Sequence, residues 1–423
     1  MEDLPNILIR KTALSLPFAE ITSLCRTNTK FNKAICEYQQ FWHDKLILDY
    51  GINEKFSEAL DWKKIYIYYT FNRLIGLGSN RSGELGLGRI IWVKEFTEIA
   101  IAAIKDIACG FRHTVIVDID GNLWGTGKND YGGLAINTGQ NIKNFVQLAH
   151  GLRFIQIACG FHHTLALSND NKIWVTGNNR EGQIGLGSID QVDQFVKLKG
   201  YRAKQIACGG VHSAFIDLNR NLYTFGSKYS GQLGRDGNHA ILDKALIDIP
   251  IIQVSCGGNH TACIDSNNDI WIFGNNLYGQ LGLEKTKSQT KYMYPEKISN
   301  HKAKYISCGD TYTAFIDPED HVWTFGNNKL GQLGLQGIKR QYIPKRITQV
   351  YDQGQIINRD FRVREVHCGN DTTLFIDLED NLWVTGRNVK LNIDSKVPAM
   401  IPRIKTSKVA TGHDCMVIIG YYN

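Results

Sequence analysis

The chain has 423 residues, 43% of them hydrophobic, and a net charge of +7 that lies after residue 70. This allows one large β domain and a small helical one. Its longest wholly apolar run, residues 99–104, is six residues long, whereas a membrane-spanning helix needs about 20. The first residues also lack the basic and then apolar pattern of a signal peptide, so we expect neither a membrane span nor secretion.

Residues 1–70 have the apolar spacing that is typical of helices. Leu16-Pro17 opens the first one, because proline suits a first turn. Thr27-Asn28-Thr29 predicts a turn with a helix cap, and Gly51 ends the last helix. The apolar faces are Ile21, Leu24 and Cys25; Phe31, Ala34 and Ile35; and Phe41, Trp42, Leu46 and Ile47. Three short helices bury little core by themselves, so we expect this segment to need the rest of the chain or a partner.

After residue 70 the sequence repeats one unit about every 50 residues. One half of the unit reads Cys-Gly-x-x-His-Thr, followed by alternating apolar residues. Its glycines are Gly110, Gly160, Gly209, Gly257, Gly309, Gly369 and Gly412. The other half reads Trp-x-x-Gly-x-Asn-x-x-Gly-Gln-Leu-Gly, and its first glycines are Gly78, Gly127, Gly177, Gly226, Gly274, Gly326 and Gly386. A period of this length is typical of solenoids and propellers.

The two ends of the repeat region complement each other. The copy at Gly78 has no first half before it, and the copy at Gly412 has no second half after it. Six whole units become seven only if the ends meet, with Arg73–Leu77 beside Met416–Ile419. Closure also removes the free sheet edges that invite aggregation. The sequence therefore predicts an all-β, seven-bladed propeller over residues 71–423, closed by its N- and C-terminal strands.

Each unit predicts a four-stranded blade. In one unit, residues 154–158, 163–167 and 172–176 are strand-like runs, and Asn169-Asp170-Asn171 has the residues of a tight hairpin. We expect a recurring leucine and a recurring tryptophan to fill the core between blades, and a recurring aspartate to cap the turn. The positions are Leu85, Leu233, Leu281 and Leu333; Trp124, Trp174, Trp271, Trp323 and Trp383; and Asp217, Asp265, Asp317 and Asp377. Tyr223 and Ile75 replace the tryptophan in two units.

Six of the ten cysteines share one repeat position: Cys109, Cys159, Cys208, Cys256, Cys308 and Cys368. Equivalent sites lie one blade apart, so we expect no disulfides among them. We interpret them as small buried residues of a protein in a reducing compartment, the cytoplasm or the nucleus.

Four of these cysteines precede a histidine at Cys-x-x-x-His spacing: His113, His163, His212 and His260. Zinc needs four convergent ligands, and each pair lies in its own blade. We therefore predict no metal, and expect each histidine to bond to backbone across blades. The sequence also has no P-loop, nucleophile elbow or paired carboxylates, so we predict no catalytic residue and no cofactor.

Basic residues concentrate in the stretch 329–364, where the Cys308–Cys368 spacing is 60 rather than the 48 to 52 of the neighbouring units. The candidate loop there contains Lys339, Arg340, Lys345 and Arg346. One interpretation is a solvated loop. The other is a surface for an acidic partner, namely nucleic acid, an acidic protein or an acidic degron.

The two half-motifs resemble the regulator of chromosome condensation repeat, which builds seven-bladed propellers. The resemblance covers about residues 72–420, and both half-motifs recur in order. The sequence departs from the pattern at Tyr312 and Thr372, which replace the histidine, and after Gly386, where Gly-Gln-Leu-Gly is missing.

The first residues resemble the F-box, a short helical motif that docks on the Skp adaptor of cullin ubiquitin ligases. The residues that match in order are Leu4-Pro5, Leu16-Pro17, Ile21, Leu24, Phe31 and Trp42. The resemblance implies that the adaptor would contact Leu4, Pro5, Ile7, Leu8, Leu16, Pro17 and Leu24. The acidic residue expected after Asn6 is absent. The alternative is a helical cap that shields the blade completed by the chain ends.

Together the resemblances imply a non-enzymatic scaffold, a substrate receptor that links a target on the propeller to a Skp–cullin ubiquitin ligase. One alternative is guanine-nucleotide exchange on a Ran-like small GTPase, which the founding propeller of the family performs. Another is a propeller that binds chromatin or a membrane surface. The richness in Ile, Asn and Lys with only 8 prolines, together with the F-box-like start, is similar to proteins of giant DNA viruses.

Overall fold

The computed structural model describes residues 6–16, 18–50, 62, 63, 66, 70, 72–101, 103–237, 242–284, 289–387 and 396–422. The chain forms two compact units, Met1–Asn72 and Arg73–Asn423. Within the described residues, no helix combines the length and the apolar content that crossing a bilayer requires.

The first unit is helical. Its helices are α1 (Asn6–Leu14), α2 (Phe18–Thr27), α3 (Thr29–Phe31) and α4 (Gln39–Tyr50), and a π-helical turn, Asn32–Cys36, follows α3 directly. Asn28 Oδ1 accepts a hydrogen bond from Phe31 N at 2.9 Å, which confirms the predicted cap. The helix predicted to open at Leu16-Pro17 is confirmed, because α2 begins at Phe18. The helix before it, α1, was not predicted. The buried residues of α1 are only Ile9 and Ala13, too few to form a recognisable apolar face.

The predicted apolar faces pack into the core of this unit. Seven of their residues are at most 3% exposed: Ile21, Phe31, Ala34, Ile35, Phe41, Trp42 and Leu46. Lys45 is also buried, and its ammonium group pairs with Asp49 at 2.8 Å, which compensates the cost of burying a charge. Cys25 and Cys36 form a disulfide, with Cα atoms 6.3 Å apart, that ties α2 to the π-helical turn. The repeat pattern gives no indication of this pair, because both cysteines precede the repeats.

The second unit is a set of largely antiparallel sheets. Its strands are β1 (Arg73–Ser79), β2 (Trp92–Ile99), β3 (Ile104–Cys109), β4 (His113–Asp118), β5 (Leu123–Gly127), β6 (Ile142–Ala149), β7 (Phe154–Cys159), β8 (His163–Ser168), β9 (Lys172–Gly177), β10 (Val192–Cys208), β11 (His212–Asp217), β12 (Leu222–Gly226), β13 (Asp243–Lys244) and β14 (Ile251–Cys256). They continue with β15 (His260–Asp265), β16 (Asp269–Asn275), β17 (Lys291–Lys302), β18 (Tyr305–Cys308), β19 (Tyr312–Ile316), β20 (Val322–Asn327), β21 (Arg340–Arg346), β22 (Gln349–Asp352), β23 (Gln355–Asn358), β24 (Val363–Cys368), β25 (Thr372–Asp377), β26 (Asn381–Gly386), β27 (Ala399–Thr411) and β28 (Cys415–Tyr422).

The described strands form seven four-stranded blades. In chain order, blade 1 is β3–β6, blade 2 is β7–β9 with the first part of β10, blade 3 is the rest of β10 with β11–β13, blade 4 is β14–β17, blade 5 is β18–β21, and blade 6 is β24–β26 with the first part of β27. Blade 7 joins the rest of β27 and β28 to β1 and β2. In it, β1 and β28 pair from Arg73↔Gly420 to Gly78↔Cys415, which confirms the predicted closure.

Two long strands serve two blades each. The strand β10 pairs with β9 as far as Arg202 and with β11 from Ala203 onwards. The strand β27 pairs with β26 as far as Lys405 and with β28 from Ile404 onwards. By contrast, residues 150–153 separate β6 from β7. Blades 2 and 3, and blades 6 and 7, are therefore connected by continuous strands.

The longer spacing between Cys308 and Cys368 is explained by a hairpin. The strands β22 and β23 pair with each other from Gln349↔Asn358 to Asp352↔Gln355. Their turn, Gln353-Gly354, has φ values of 45° and 85°, as in the type I′ turns that suit two-residue hairpins. The inserted residues therefore form regular structure in addition to the blade strands.

Seven hydrophobic clusters of the described residues fill the space between blades, one at each junction. The cluster between blades 7 and 1 combines Leu74 of β1, Ile107 of β3 and Val417 of β28. The recurring leucine lies in this inter-blade core, as predicted: Leu85, Leu281 and Leu333 belong to these clusters, and Leu233 is 1% exposed. Each blade therefore depends on both neighbours for its packing.

The recurring aspartate caps its turn, as predicted, and also binds the recurring tryptophan. In four blades its carboxylate accepts a hydrogen bond from the indole Nε1 at 2.8 or 2.9 Å; the pairs are Trp124–Asp118, Trp271–Asp265, Trp323–Asp317 and Trp383–Asp377. Blade 2 has Ser168 in place of the aspartate, and the buried Nε1 of Trp174 has no partner among the described residues. Blade 3 keeps Asp217 but has Tyr223 in place of the tryptophan. These two neighbouring blades therefore lack the contact.

Candidate functional site

The Cys-Gly-x-x-His-Thr element joins neighbouring blades through side chains. The histidine Nε2 lies 2.8–3.1 Å from a hydroxyl oxygen of the next blade, in the pairs His113–Thr164, His163–Ser213, His212–Thr261 and His260–Thr313. Each hydroxyl itself donates to a carbonyl, as Thr261 does to Gln232 O at 2.8 Å. The histidine must therefore be the donor. The prediction of a bond to backbone is wrong, since the acceptor is a side chain that spacing alone does not identify.

The environment of these four histidines keeps them neutral. Burial lowers the pKa of each to about 3, because a buried imidazolium loses its hydration. The Nε2 of each histidine is thus used by a hydroxyl of the next blade, which gives the Cys-x-x-x-His spacing a structural explanation. The glycine has one too, because a Cβ on Gly209 would overlap the ring of His212.

The loops that follow these glycines form one rim of the axial channel. We call this the glycine rim, residues 110–112, 160–162, 209–211, 257–259, 309–311, 369–371 and 412–414. Backbone hydrogen bonds connect its loops from blade to blade, for example from Phe161 N to Gly210 O at 3.1 Å and from Asp310 N to Gly369 O at 3.1 Å. The cavity enclosed at this end is about 100 Å³. The rim side chains thus surround a small cavity that is open to solvent.

One side of the glycine rim is aromatic. The centroid of the Phe111 ring lies 4.4 Å from that of His413 and 5.6 Å from that of Phe161. His162 continues the group, 5.9 Å from Phe111, and the guanidinium of Arg112 lies 5.5 Å from the Phe111 centroid. All five side chains are half-buried. They therefore form a packed shelf that still faces solvent.

The other side of the rim is acidic. Asp310 and Asp371 are half-buried, and burial raises the pKa of both carboxyl groups; the negative charge of Asp371 raises the pKa of Asp310 further. His413 lies between the two sides, with its Nδ1 2.9 Å from Asp414 Oδ2. Carboxylates with a raised pKa have lost hydration, so an incoming cation stabilises them.

An aromatic shelf beside half-buried carboxylates has the chemistry of a site for a cationic side chain. Ring faces attract cations, and carboxylates form charge-assisted hydrogen bonds with Lys and Arg. The glycine rim is therefore our candidate functional site, and sequence analysis missed it. A signal was present: the residue after each Cys-Gly or Thr-Gly differs between units, as Phe111, Phe161, Gly210, Gly258, Asp310, Asn370 and His413. Variation at these positions within an otherwise regular motif indicates surface residues, which the packing of the blades does not require.

The opposite end of the channel is wider, with a cavity of about 360 Å³. Glutamine side chains there accept hydrogen bonds from backbone N–H groups of the next blade at 2.9–3.1 Å, in the pairs Gln156–Ile206, Gln205–Val254 and Gln253–Ile306. Lys408 pairs with Asp106 at 2.9 Å. These polar groups are bound to the backbone or to each other, which favours a structural role for this end.

The predicted adaptor-binding residues fall on the helical unit. Ile7 and Leu8 lie on α1, 66% and 48% exposed. Leu16 follows α1 and Leu24 lies on α2, and both are half-buried. The remaining three, Leu4, Pro5 and Pro17, lie outside the described residues. The described part of the set therefore places two large apolar side chains in solvent.

The predicted basic residues lie on or beside β21, the outer strand of blade 5, and not in a loop. Lys339 and Lys345 are exposed. Arg346 forms an ion pair with Asp360, and the guanidinium of Arg340 lies 4.9 Å from the ring of a tyrosine in blade 4. The two arginines thus contact other residues of the protein, and of the four predicted residues only the two lysines are exposed.

A group of potential metal ligands occurs at the hairpin turn of blade 5. Asp317, Glu319 and His321 each place one potential ligand atom within 4.8 Å of the others. Asp317 Oδ2 already accepts a hydrogen bond from Trp323 Nε1 at 2.9 Å and lies 3.2 Å from His321 Nδ1. These contacts are those of the capped turn and explain the cluster.

Comparison with known families identifies the ring. The RCC1-like domain family matches residues 73–418, the span from β1 to β28 that closes the propeller. The chain belongs to this family. The helical unit, Met1–Asn72, precedes the RCC1-like match.

Solved structures share the RCC1-like fold. Human WBSCR16 is 22% identical with a TM-score of 0.72, over 83% of this chain and 99% of that one. Yeast RCC1 (Prp20), solved bound to Kap60, is 18% identical with a TM-score of 0.74, over 88% of this chain and 96% of that one. At these identities the likeness establishes the fold alone.

Curated relatives match the RCC1-like chain in part. The RCC2 homolog of Xenopus laevis is 28% identical over 127 residues, which are 29% of this chain and 22% of the relative. The human probable E3 ubiquitin-protein ligase HERC6 is 32% identical over 77 residues, which are 18% of this chain and 7% of the relative. The matches therefore span less than a quarter of the length of these relatives.

Proposed function

We propose that this RCC1-like protein is a non-enzymatic interaction scaffold of the cytoplasm or nucleus. The propeller holds a protein target at the glycine rim. The helical unit binds a Skp-type adaptor and, through it, a cullin ubiquitin ligase. The observation that carries the proposal is the aromatic and acidic surface of the glycine rim, because its side chains extend from loops that the blade-to-blade hydrogen bonds hold in place.

The chemistry of the rim favours a target with an exposed Lys or Arg. Such a side chain would contact the face of Phe111 while its charged group approaches Asp310 and Asp371. The raised pKa of these two carboxyl groups supports this, because a bound cation would restore the stabilisation that burial removes. Fixed loops also reduce the entropy lost on binding.

The target site is tested by affinity purification of the tagged full chain from eukaryotic cells, followed by quantitative mass spectrometry. We expect the double variant Asp310→Asn/Asp371→Asn to recover the specific interactors about tenfold less well than the wild type, since a central charged pair contributes a few kcal/mol. Asp190→Asn/Asp243→Asn is the matched control, because both carboxylates are exposed and lie away from the rim. Equal recovery by wild type and rim variant would contradict a rim-bound target.

The adaptor proposal rests on the exposed apolar residues of α1. Ile7→Ala/Leu8→Ala should reduce binding of a purified Skp-type adaptor at least about 30-fold, because truncation of central apolar anchors costs about 2 kcal/mol or more. The propeller does not contain these residues, so thermal unfolding should be unchanged. Leu48→Ala is the control, because Leu48 is 62% exposed on another helix. If the wild-type protein does not bind the adaptor, the proposed link to the ligase is wrong, whereas the target-binding proposal stands.

A second candidate function is nucleotide exchange on a Ran-like small GTPase. The observation that favours it is the likeness of fold to Prp20p of Saccharomyces cerevisiae, with a TM-score of 0.74 and 18% identity. The crystal structure of Prp20p was described together with its binding properties to Gsp1p and histones. Fold alone does not transfer function, and we expect marginal exchange activity here. Nucleotide release accelerated by orders of magnitude at micromolar protein would place exchange first.

A further inference from the structure

Blade 3 has a cavity beside the position where five other blades have a tryptophan. Tyr223 occupies that position, and beside it an open cavity of about 470 Å³ lies at the outer edge of blades 2 and 3. The Asp217 carboxylate in its wall accepts hydrogen bonds from the N–H groups of Asn219 and Asn221, at 2.8 and 2.7 Å. Its charge is therefore already partly compensated within the turn.

Three cations line this cavity. Lys172 on β9 and Arg202 on β10 are direct partners across the antiparallel pair, an arrangement in which like charges repel. Lys197, on the same strand as Arg202, also lines the cavity. Lys172 pairs with Asp170 at 2.5 Å, but among the described residues no carboxylate lies within 4 Å of Lys197 or Arg202. Two exposed cations, Lys197 and Arg202, therefore stand at this edge of the sheet without a carboxylate partner among the described residues.

We propose that this cavity, the blade 2–3 pocket, binds a phosphate monoester. Such a group carries about −1.5 to −2 charges at pH 7 and three strong acceptor oxygens. Arg202 offers the planar fork that suits phosphate oxygens, and the two lysines supply the remaining charge. Tyr201 and Tyr223, with ring centroids 5.6 Å apart, form the aromatic wall. A phosphorylated side chain of a partner and a phosphorylated small molecule present this same chemistry, and the proposal does not depend on the function proposed above.

The pocket is tested by calorimetric titration of the full chain at low salt with O-phosphoserine, with a phosphoserine peptide, and with the same peptide unphosphorylated. We expect a phosphorylated probe to bind with a Kd below about 1 mM and the unphosphorylated peptide not to bind. Tighter binding of the phosphopeptide assigns the site to a partner protein, and tighter binding of the amino acid assigns it to a small molecule. No binding of either phosphorylated probe at about 10 mM overturns the proposal.

Three variants locate the site. Lys197→Glu/Arg202→Glu should weaken binding at least about tenfold, whereas Lys339→Glu/Lys345→Glu, the same charge change on blade 5, should leave it within about twofold. Tyr223→Trp introduces the residue that five other blades have at this position and narrows the cavity. It should also weaken binding about tenfold without lowering the Tm. If Tyr223→Trp binds like the wild type, or if the blade 5 variant abolishes binding, the pocket is not the site.

A different observation concerns the junction at which the ring closes. In blade 7, Cys415 stands at the position of the motif histidine, and it faces Cys109 of blade 1. A Cβ built on Gly412 would lie 2.9 Å from Cys415 Sγ and 3.6 Å from Cys109 Cβ. The interaction of the two neighbouring thiols lowers the pKa of Cys109 and raises the pKa of Cys415. The histidine-to-hydroxyl bond of blades 1 to 5 is thus replaced by two neighbouring thiols.

We propose that Cys109 and Cys415 form a reversible disulfide that closes the ring covalently. The two thiols lose two protons and two electrons to a low-molecular-weight disulfide such as oxidised glutathione, which is reduced to two thiols. Cys109 lines the rim cavity and provides access for the oxidant. The bond would join blade 7 to blade 1 across nearly the full length of the propeller, where constraint of the unfolded chain is large.

The test oxidises the full chain with glutathione disulfide and counts thiols after denaturation and alkylation. We expect the eight free cysteines to fall by two, with the Cys109–Cys415 linkage identified in non-reduced peptides and the Tm raised by about 5 °C. Cys415→His restores the motif residue, which can donate to Thr114. This variant should keep its fold and lose the redox-dependent Tm shift. Oxidation that leaves both thiols free, or an equal Tm shift in Cys415→His, overturns the proposal.

Discussion

His212 in blade 3 donates its Nε2 proton to Thr261 Oγ1 in blade 4, 2.8 Å away, and Thr261 in turn donates to the carbonyl of Gln232 at 2.8 Å. Both His212 and Thr261 are fully buried. One hydroxyl thus satisfies a donor and an acceptor, and the same arrangement occurs at each junction from blade 1 to blade 5.

Removing that hydroxyl should destabilise the propeller. Thr261→Val keeps the size of the side chain but leaves the His212 N–H and the Gln232 carbonyl buried without partners. We expect a loss of about 3 kcal/mol, since each unsatisfied buried group costs about 1–3 kcal/mol. Urea unfolding followed by circular dichroism measures the change. Thr261→Ser is the control, because Ser213 fills this position in blade 3; a Ser variant as unstable as the Val variant would contradict the explanation.

The buried histidines should make stability depend on pH. Burial lowers the pKa of His113, His163, His212 and His260 to about 3, against about 6.5 in the unfolded chain. The unfolded chain therefore binds more protons between these values. Stability is complete above about pH 6.5 and decreases as the pH falls towards 3, by about 1.4 kcal/mol per pH unit for each histidine.

The measurement is urea unfolding between about pH 7.5 and 5, where Asp and Glu contribute little because their pKa values lie lower. His163→Gln is the informative variant, because glutamine retains an N–H donor towards Ser213 but does not titrate. Below about pH 6.5, its unfolding free energy should vary with pH by about 1.4 kcal/mol per unit less than that of the wild type. An identical pH dependence would show that His163 is not the neutral buried group described above.

Truncation should distinguish ring closure from simple fraying. Ending the chain after Thr411 removes β28 and the partner of β1, and we expect loss of the cooperative unfolding transition of the whole propeller, since each blade packs on two neighbours. Ending it after Gly420 keeps every paired residue of β28 opposite β1 and should shift the Tm by only about 2 °C or less. Coincident melting curves for the chain that ends at Thr411 and the intact chain would contradict closure.

Blade 2 can be stabilised by restoring its missing aspartate. Ser168→Asp should place a carboxylate where the buried Nε1 of Trp174 has no partner, and we expect a gain of about 1 kcal/mol from the new hydrogen bond. Blade 1 has the same spacing of two acidic residues, Asp118 and Asp120. Ser168→Ala, the control, loses the bonds of Ser168 Oγ to Asp170 and to Lys172 O and should be less stable than the wild type. Equal stability of the Asp and Ala variants would contradict this prediction.

The ring could be predicted from the sequence because the same sequence unit recurs from blade to blade. Complementary half-units at Gly78 and Gly412 predict closure, and the recurring leucine predicts the inter-blade core. The partner of each histidine could not be predicted, because Thr261 lies 49 residues from His212 and only the blade-to-blade geometry brings them together.

The candidate site was harder to predict than the fold. The rim residues Phe111, Asp310 and His413 are variable positions of the motif, and their proximity depends on the curvature of the ring. The residues of the blade 2–3 pocket also have no shared motif. Lys172 and Arg202 meet through a strand register that shifts between Lys197 and Arg202, and a spacing rule does not anticipate such a shift.

The two strands that pass from one blade into the next make the ring mechanically uneven. A strand such as β10 or β27 continues from one blade into the next without an intervening loop, and we expect it to resist a change of angle between the blades it joins. We therefore expect blades 2 and 3 to move as one piece, as well as blades 6 and 7, and bending to concentrate at loop joints such as residues 150–153. If a ligand spreads the glycine rim, we expect the hinges to lie at those joints and blade 7 to move together with blade 6.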